Sequence, residues 1–389
     1  MSTTPPAATA PPTTLPASTP AGIPDQTPPR RRRSMRAGST MSEAWRNVLT
    51  GTTRAAPYAV ALLLAVGVLA AVDVRAVVDV VRGAQDFRDA GASVQVLESP
   101  EHVDAVRCEA LTQIAGVRAA GALRAGEPVR ALNLPGSELS TYEITPGLAR
   151  VLDPSAPTAS GVWLASDLAD ALGIRADDQV ATSTGTAVVA GVYSYPDDGR
   201  VRTLGYTLLT PVPATGPFDA CWAEIWPADA TTAAYLRTAL VPDPSGEIRP
   251  TQGQLNARLG TSYDAPALLA ERLTRHAPVA ALAVGIALGY TAIRSRRLEL
   301  AAALHARVPR PALAWQVLLE TLAWAIAETM IAATTLWWVA AWDNPDPGIE
   351  TWATGARSLA AGAVGTFLGA QTAVLTTREK HLFRYFKER

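Results

Sequence analysis

The chain has 389 residues, a net charge of −1 at pH 7, and a composition that is 48% hydrophobic but only 18% charged. Because the charges almost balance, nucleic-acid binding has no overall electrostatic support. The hydrophobic residues are unevenly distributed, and their concentration in long stretches is more informative than their total.

The N-terminal region combines a polar tail with a short helix. Residues 1–38 are rich in Pro, Thr and Ala and contain an arginine run, which predicts a disordered cytosolic tail. Residues 39–54 are predicted to form an inner-leaflet amphipathic helix, because Thr40 and Glu43 have capping-box spacing and five apolar residues share one helical face. Those apolar residues are Met41, Ala44, Trp45, Val48 and Leu49. This face contacts either membrane lipid or the protein's own spans, and the sequence leaves both open.

Four stretches are apolar enough to cross a bilayer, which takes about 20 residues of helix. We place these spans at residues 55–72, 277–293, 313–342 and 358–377. A long leader precedes the first span and no clean cleavage site follows it, so it is interpreted as a signal anchor. A buried core helix is the alternative for each stretch, and the short second stretch fits that alternative best.

Basic residues mark one side of the membrane. They cluster in the leader, in residues 294–312 and in the tail 378–389, whereas the loop 343–357 is acidic and has no basic residue before Arg357. Under the positive-inside rule, this distribution places both termini in the cytoplasm and the acidic loop outside. The expected location is therefore the inner (cytoplasmic) membrane, crossed several times.

Residues 73–276 separate the first two spans. Their apolar runs of strand length alternate with helical patterns, which predicts an extracytoplasmic mixed α/β domain. The fold class is therefore an α-helical membrane protein with four transmembrane helices plus this domain. Strands are predicted at 93–97, 129–132, 187–193 and 221–226, and helices at 102–114, 165–172 and 230–240. Helical stalks are predicted at both ends, with Val74, Val77, Val78, Val81 and Ala84 in the first and Leu268, Leu269 and Leu273 in the second.

The two cysteines of the chain, Cys108 and Cys221, both fall in this domain. A disulfide between them is favoured in an oxidising compartment, with two separate buried thiols as the alternative. In the chain-entropy model, closing a loop of about 110 residues stabilises the folded state by roughly 4–5 kcal/mol.

Residues 294–312 join the second and third spans. They are predicted to form a cytoplasmic elbow, a charged amphipathic segment that a cytosolic partner can bind. Six charged residues are the candidates for coupling to an ATPase: Arg294, Arg296, Arg297, Glu299, Arg307 and Arg310. A passive membrane anchor has no need of such a segment.

The third span contains two acidic residues. Glu320 is expected near the inner interface, and Glu328 lies about 12 Å deeper at the helical rise. Acidic groups at such positions serve as proton relays or as structural polar contacts, and the structural contact is favoured here. GxxxG spacing, which lets helices approach closely, occurs in the second and fourth spans at Gly285, Gly289, Gly365 and Gly369.

Sequence signals for chemistry within this chain are weak. A phosphate-binding loop needs a lysine directly after a glycine, and neither Lys380 nor Lys387 has one. The four histidines are scattered along the chain, and no Ser, His and Asp arrangement is recognisable. We therefore predict no catalytic residue, no cofactor and no metal site, and an enzyme is the least supported class.

The elbow and the third span share one set of motif residues: Arg297, Glu299, Ala302, Leu304, Pro311 and Glu320. In the external region, residues 161–178 look like a strand–helix unit of the form LG…GD, followed by the apolar residues 188–192. Together with the order of helix, span, external domain and three further spans, these features resemble the FtsX/MacB-like permease subunits of ABC transporters over residues 40–380. One departure lies at residues 305–307, where the family usually has a glycine turn.

The resemblance implies a permease subunit that transmits the motion of a separate cytosolic ABC-type ATPase to the external domain, for export or extraction of an envelope substrate. It also implies a second permease chain, identical or paralogous. Membrane lipid is a further expected partner, because of the apolar spans and the arginine run of the leader. Two other classes remain open. One is a mechanical regulator of a cell-envelope enzyme without transport, and the other is a degenerate membrane-anchored binding protein.

Overall fold

The computed structural model describes residues 37–51, 53–134, 136–155, 160–227, 230–242 and 249–378. The predictions for residues 1–36 and 379–389, which include most of both cytosolic tails, lie outside the described residues.

The helices form two groups, long apolar ones and shorter ones. In chain order they are α1 (Ala37–Leu49), α2 (Ala55–Asp89), α3 (Ala105–Ala110), α4 (Pro146–Leu152), α5 (Ser166–Leu172), α6 (Ala230–Ala234), α7 (Ala265–Glu271), α8 (Ala277–Arg294), α9 (Arg297–His305), α10 (Arg310–Ala341) and α11 (Ile349–Thr376). Helices α2, α10 and α11, and α8 with the turn before it, are long and apolar enough to cross a membrane. Within the described residues, the prediction of four such helices is confirmed.

Helix α2 reaches from the bundle into the α/β domain. Its 35 residues correspond to about 52 Å at 1.5 Å per residue, whereas the hydrocarbon core of a bilayer is about 30 Å thick. A single π-helical turn, Leu63–Gly67, changes the hydrogen-bond spacing without ending the helix. The predicted first stalk is therefore one rigid continuation of the first span.

The return path to the bundle differs from the prediction. Helix α7 ends at Glu271, Arg272 is extended with ψ 133°, and a 3-10 turn at Leu273–His276 precedes α8. Pro278 lies in the first turn of α8, where its missing N–H favours a helix start at that point. The second predicted stalk is therefore not a single helix leading into the bundle, because the helix is broken between α7 and α8.

Two other helix boundaries also differ. Helix α1 begins at Ala37, so Thr40 lies inside the helix and is not its N-cap. Helix α11 begins at Ile349, which shortens the predicted outer loop 343–357 to residues 342–348. The indole Nε1 of Trp352 donates to the carbonyl of Ala333 at 3.0 Å, and this contact holds the polar first turns of α11 against α10.

A mixed sheet forms the centre of the α/β domain. Its strands are β1 (Val94–Asp104), β2 (Val117–Ala125), β3 (Val129–Arg130), β4 (Glu138–Ile144), β5 (Val162–Ala165), β6 (Gln179–Thr182), β7 (Gly185–Tyr193), β8 (Thr207–Pro211), β9 (Pro217–Ile225) and β10 (Thr251–Gln254). Their order is β10-β1-β9-β2-β4-β8-β5-β7-β6, and β3 pairs with β4. The pairs β4–β8 and β5–β7 are parallel and the others antiparallel. The predicted mixed α/β class is confirmed.

The sheet buries apolar side chains on both faces. Successive residues of a strand point to opposite faces, so Val96 belongs to one core and Leu97 to the other. Leu148 of α4 and Leu168 of α5 pack into the first core, and Leu111, just after α3, packs into the second. Each face is therefore covered by short helices, which excludes water from both sides.

Some strands differ from the sequence-based expectation. Strand β1 continues to Asp104, so His102 and Val103, predicted to be helical, are extended. Asp104 caps α3 by accepting a hydrogen bond from the backbone N–H of Arg107 at 3.1 Å, which starts that helix later than predicted. The predicted strand at 129–132 shrinks to two residues, and β2 was not predicted because its Ala- and Gly-rich sequence has little intrinsic strand preference.

Candidate functional site

The elbow folds as a helix between two turns. Helix α9 ends where Arg307 adopts a left-handed conformation with φ 65°. The backbone N–H groups of Arg307 and Val308 donate to Leu304 and Ala303 at 3.0 and 3.1 Å, which satisfies carbonyls at the helix end. Pro309 is extended and α10 begins directly after it. Arg307 thus makes the turn at which FtsX/MacB-like permeases usually have a glycine.

Apolar contacts fix the elbow to the bundle. Leu300 of α9 is buried with Ile293 of α8 and with Leu313 and Val317 of α10. Helix α11 completes this cluster with Ala370, Ala373 and Val374. Because three helices close around Leu300, α9 cannot move as a detached loop.

A buried carboxylate joins the elbow to α1 and α10. Glu320 is 2% exposed; its Oε2 accepts from Nη1 of Arg296 at 2.7 Å, and its Oε1 accepts from Nδ2 of Asn47 at 2.7 Å. Gln316 adds a donor to Oε1 at 3.2 Å. Arg296 also donates through Nε to Glu299 at 2.9 Å. We call Asn47, Arg296, Gln316 and Glu320 the Glu320 cluster.

The charges in this cluster compensate one another. Burial by itself lowers the pKa of the Arg296 guanidinium, but the charge and hydrogen bond of Glu320, followed by those of Glu299, outweigh it. The pKa of Arg296 is therefore raised above its ordinary value, and its positive charge is held beside Glu320.

The predicted coupling residues fall into two sets. The side chain of Arg296 is only 9% exposed and points inward to Glu320, so it holds the elbow in place and offers no outer surface. Glu299, Arg307 and Arg310 are exposed, and Arg294 and Arg297 are half-buried. Ala302 is also exposed on α9, so the surface open to a partner is formed by α9 and the turn after it.

Helix α1 has two different sides. Ala44 is buried, and Asn47 reaches the Glu320 cluster, so this side packs against the bundle. Met41, Trp45 and Leu49 follow one another at intervals of four residues and are more than half exposed. Of the predicted apolar face, Ala44 packs against the bundle, whereas Met41, Trp45 and Leu49 form an exposed apolar surface on the other side of the helix.

Glu328 occupies a different environment from Glu320. It is 5% exposed, and Oε2 accepts a hydrogen bond from the neighbouring Thr329 at 3.3 Å. Within the part of the chain that the structure describes, its Oε1 has no hydrogen-bond partner. The hydroxyl of Ser358 on α11 is also buried and unpartnered there. The expected structural polar contact for Glu328 is thus limited to its own helix.

The four glycines of the two GxxxG motifs meet at one helix–helix contact. A Cβ on Gly285 would overlap the carbonyl oxygen of Gly362, and one on Gly289 would overlap that of Thr366. From the other side, a Cβ on Gly365 would overlap Leu282 and one on Gly369 would overlap Ile286, again at carbonyl oxygens. Backbone contact between α8 and α11 therefore requires glycine at all four positions.

Two salt bridges and a hydrogen bond connect the part of α2 between Asp73 and Arg82 to the rest of the bundle. Buried Asp73 accepts from Nε of Arg272 at 3.2 Å, where the return path breaks. Arg75 donates to the carbonyl of Trp342 at 2.8 Å, and Arg82 lies 2.7 Å from Asp343. The loop after α10 and the turn before α8 thus both bind to α2.

The top of α2 is bound to the α/β domain. Tyr263 donates its hydroxyl to the carbonyl of Val80 at 2.8 Å, and its ring packs with Phe87 and Trp226 at centroid distances of 5.9 and 6.4 Å. Arg88 forms a salt bridge with Glu224 of β9 at 2.9 Å. Helix α2 is therefore attached directly to β9, an inner strand of the sheet.

A disulfide joins Cys108 of α3 to Cys221 of β9, across 113 residues of sequence. It lies in the second core, beside Leu97 and Phe218. It fixes α3 on the strand that also carries Glu224.

Sequence reasoning missed several of these residues. Asn47 lies outside the apolar set predicted on α1, and the sequence contains no signal that it binds a residue of α10. Asp73 could have been noticed, because a lone acid beside an apolar span needs a partner, but its partner Arg272 is 199 residues away. Among the described residues, no group of three or more His, Cys, Asp or Glu side chains is arranged to hold a metal ion.

Comparisons with known proteins give no family assignment. No family model matches the chain, and no curated protein matches its sequence. Among solved structures, the periplasmic region of MacB from Actinobacillus actinomycetemcomitans is similar at 12% identity and TM-score 0.32, covering 44% of this chain and 94% of that one. A domain of a protein described as a permease from Porphyromonas gingivalis is similar at 12% identity and TM-score 0.31, covering 43% and 92%. Likeness at these TM-scores carries no argument about function.

Proposed function

We propose that the chain is the transmembrane permease subunit of an ABC transporter. It transmits the motion of a separate cytosolic ATPase to its α/β domain, for export or extraction of a substrate in the cell envelope. Two permease chains pair, α9 faces the cytoplasm, and the α/β domain lies on the other side of the membrane.

The Glu320 cluster carries this proposal. Helix α9 presents an exposed surface to the cytoplasm, while Arg296 at its start is bound to a buried carboxylate of α10. The same carboxylate is bound by Asn47 of α1. A force on α9 is therefore distributed to two other helices, because breaking a buried ion pair costs far more than breaking an exposed one.

Helix α2 supplies the connection across the membrane. Only a short turn separates the end of α1 at Leu49 from the start of α2 at Ala55, so movement of α1 displaces the base of α2. At the other end, Tyr263 and Glu224 hold α2 to the sheet. A continuous helix about 52 Å long is a stiff element suited to this transmission.

Charge and cysteine distribution support the proposed orientation. The elbow is rich in arginine, whereas the loop 342–348 contains acidic residues and no basic ones. Cys108 and Cys221 form a disulfide, and disulfides persist in oxidising compartments outside the cytoplasm.

The test is purification of the full chain from native membranes in mild detergent, with identification of co-purifying subunits and assay of ATP hydrolysis. We expect a stoichiometric ATPase with a phosphate-binding loop. Ala302 is at an exposed position of α9. Ala302→Glu should prevent the ATPase from co-purifying, because it places a new charge and a larger side chain in the surface of α9 that contacts the ATPase.

Ser42→Glu is the matched control, since Ser42 is exposed on α1 and the same charge is introduced. This variant should retain the ATPase. The proposal is overturned if no ATPase co-purifies with the folded wild-type chain in several detergents, or if Ala302→Glu and Ser42→Glu retain it equally.

A further inference from the structure

A cavity of about 200 Å³ opens on one face of the sheet, at its β10 edge. Its apolar lining includes Val96, Leu123, Ala220, Trp222 and Leu255. All five are buried members of the first core. Part of the apolar core of the domain is therefore accessible from the edge of the sheet.

Strand register explains why the cavity is there. Directly opposed residues of antiparallel strands project on the same face, so Gly253, Val96 and Trp222 form one row across the sheet. Val96 and Trp222 contribute large side chains to this row, whereas Gly253 at the edge contributes none. A Cβ built on Gly253 meets nothing within 4 Å, which shows that the missing side chain leaves the space open.

The next row provides the polar rim. Thr251, Glu98 and Ala220 oppose one another, and Leu123 follows on β2. Glu98 and Thr251 are exposed, and the Thr251 hydroxyl donates to Oε2 of Glu98 at 3.5 Å. Glu98 has no salt bridge to any residue in the described ranges. The other polar residues of the lining are uncharged: Thr203 and Thr251, with Gln252 and Gln254 projecting from the opposite face of β10. The rim therefore carries one uncompensated negative charge.

Size limits what can enter. Sites for whole drug-sized ligands are typically about 300–1,000 Å³, so the cavity accommodates one apolar group and not a large molecule. A ligand with an apolar group near Trp222 brings its adjacent polar group to the rim, where Glu98 favours a cation.

We propose that this cavity is a binding site for an apolar group attached to an ammonium or another cationic centre. The apolar group lies against Val96 and Trp222 at the gap left by Gly253, and the cation lies beside Glu98. As a description of the transported or sensed ligand, this rests on the proposed function, but ligand binding itself requires no ATPase.

The test uses the full chain in lipid nanodiscs, with empty nanodiscs as the blank. The probes are 4-phenylbutylammonium and its charge-reversed counterpart 4-phenylbutyrate, titrated by ligand-observed NMR. We expect the ammonium probe to bind about threefold more tightly, which is the range for one solvent-exposed charge pair. Glu98→Gln should abolish that preference, and Gly253→Phe should weaken binding of the ammonium probe at least tenfold by filling the cavity.

Gly136→Phe is the control for added bulk, because Gly136 also has open space around its Cβ position and lies in a different loop. This variant should bind as the wild type does. The proposal is overturned if Gly253→Phe binds the ammonium probe normally, if the wild type binds neither probe, or if the preference survives Glu98→Gln. Absence of binding while an ATPase co-purifies rejects only this site, and binding without any ATPase rejects only the transporter function.

Discussion

Glu320 shows how one side chain determines the position of a whole segment. A carboxylate that is 2% exposed must be paired and hydrogen-bonded to remain charged. Asn47 of α1 and Arg296, the residue just before α9, meet this requirement, one at each oxygen. The position of α9 is thus set by the need to neutralise a charge on α10, in addition to the apolar contacts of Leu300.

We expect Arg296→Met to destabilise the protein by about 3–5 kcal/mol, because it leaves Glu320 buried without its charged partner. Adding Glu320→Gln to the same chain should restore most of the loss, because no buried charge then remains. The measurement is reversible unfolding of nanodisc-embedded protein, followed by tryptophan fluorescence.

Arg310→Met is the control, since Arg310 is exposed at the start of α10 and exposed substitutions usually change stability by less than about 0.5 kcal/mol. Equal stability of the Arg296 and Arg310 variants would contradict the structural role assigned to the Glu320 cluster.

Helices α8 and α11 show how small residues control element packing. Gly285 and Gly289 lie against carbonyl oxygens of α11, and Gly365 and Gly369 lie against those of α8. Glycine has a low intrinsic helix propensity. Its recurrence in both helices therefore reflects the close approach of their two backbones. This contact fixes the helix that precedes the elbow against the last helix of the chain.

For these elements we expect Gly289→Ala to reduce stability by about 1–3 kcal/mol, since the added methyl overlaps backbone that cannot move away easily. Gly67→Ala in α2 is the matched control, because its Cβ position has only Leu63 Cδ1 nearby, at 3.8 Å. The measurement is the melting temperature of each variant in nanodiscs. Similar melting temperatures for the two would show that α8 and α11 separate without cost.

Across the whole molecule, α2 is the common element of bundle and sheet. Asp73, Arg75 and Arg82 bind it to the loops of the bundle, while Val80 and Arg88 bind it to the α/β domain. Beyond these contacts, the disulfide is a covalent link within the domain, and it joins α3, the helix after β1, to β9.

At the molecular scale we expect removal of the disulfide to loosen the α/β domain and leave the bundle intact. For a closed loop of about 110 residues, the chain-entropy model gives a loss of roughly 4–5 kcal/mol. Cys108→Ser, Cys221→Ser and the double variant should lose similar amounts, because either substitution abolishes the bond. Limited proteolysis separates the two regions, and unchanged protease resistance of the domain in all three variants would contradict this expectation.

The sequence alone was sufficient for the long apolar helices and for the mixed α/β class, because length, hydrophobicity and periodicity are properties of contiguous residues. It could not assign different roles to Arg296 and Arg307, which look alike in the sequence of the elbow. Only the tertiary structure turned Arg296 inward, because its partner Glu320 is 24 residues away and the second partner of that carboxylate, Asn47, is 273 residues from it. The cavity beside Gly253 depends in the same way on strand register, which tertiary packing determines.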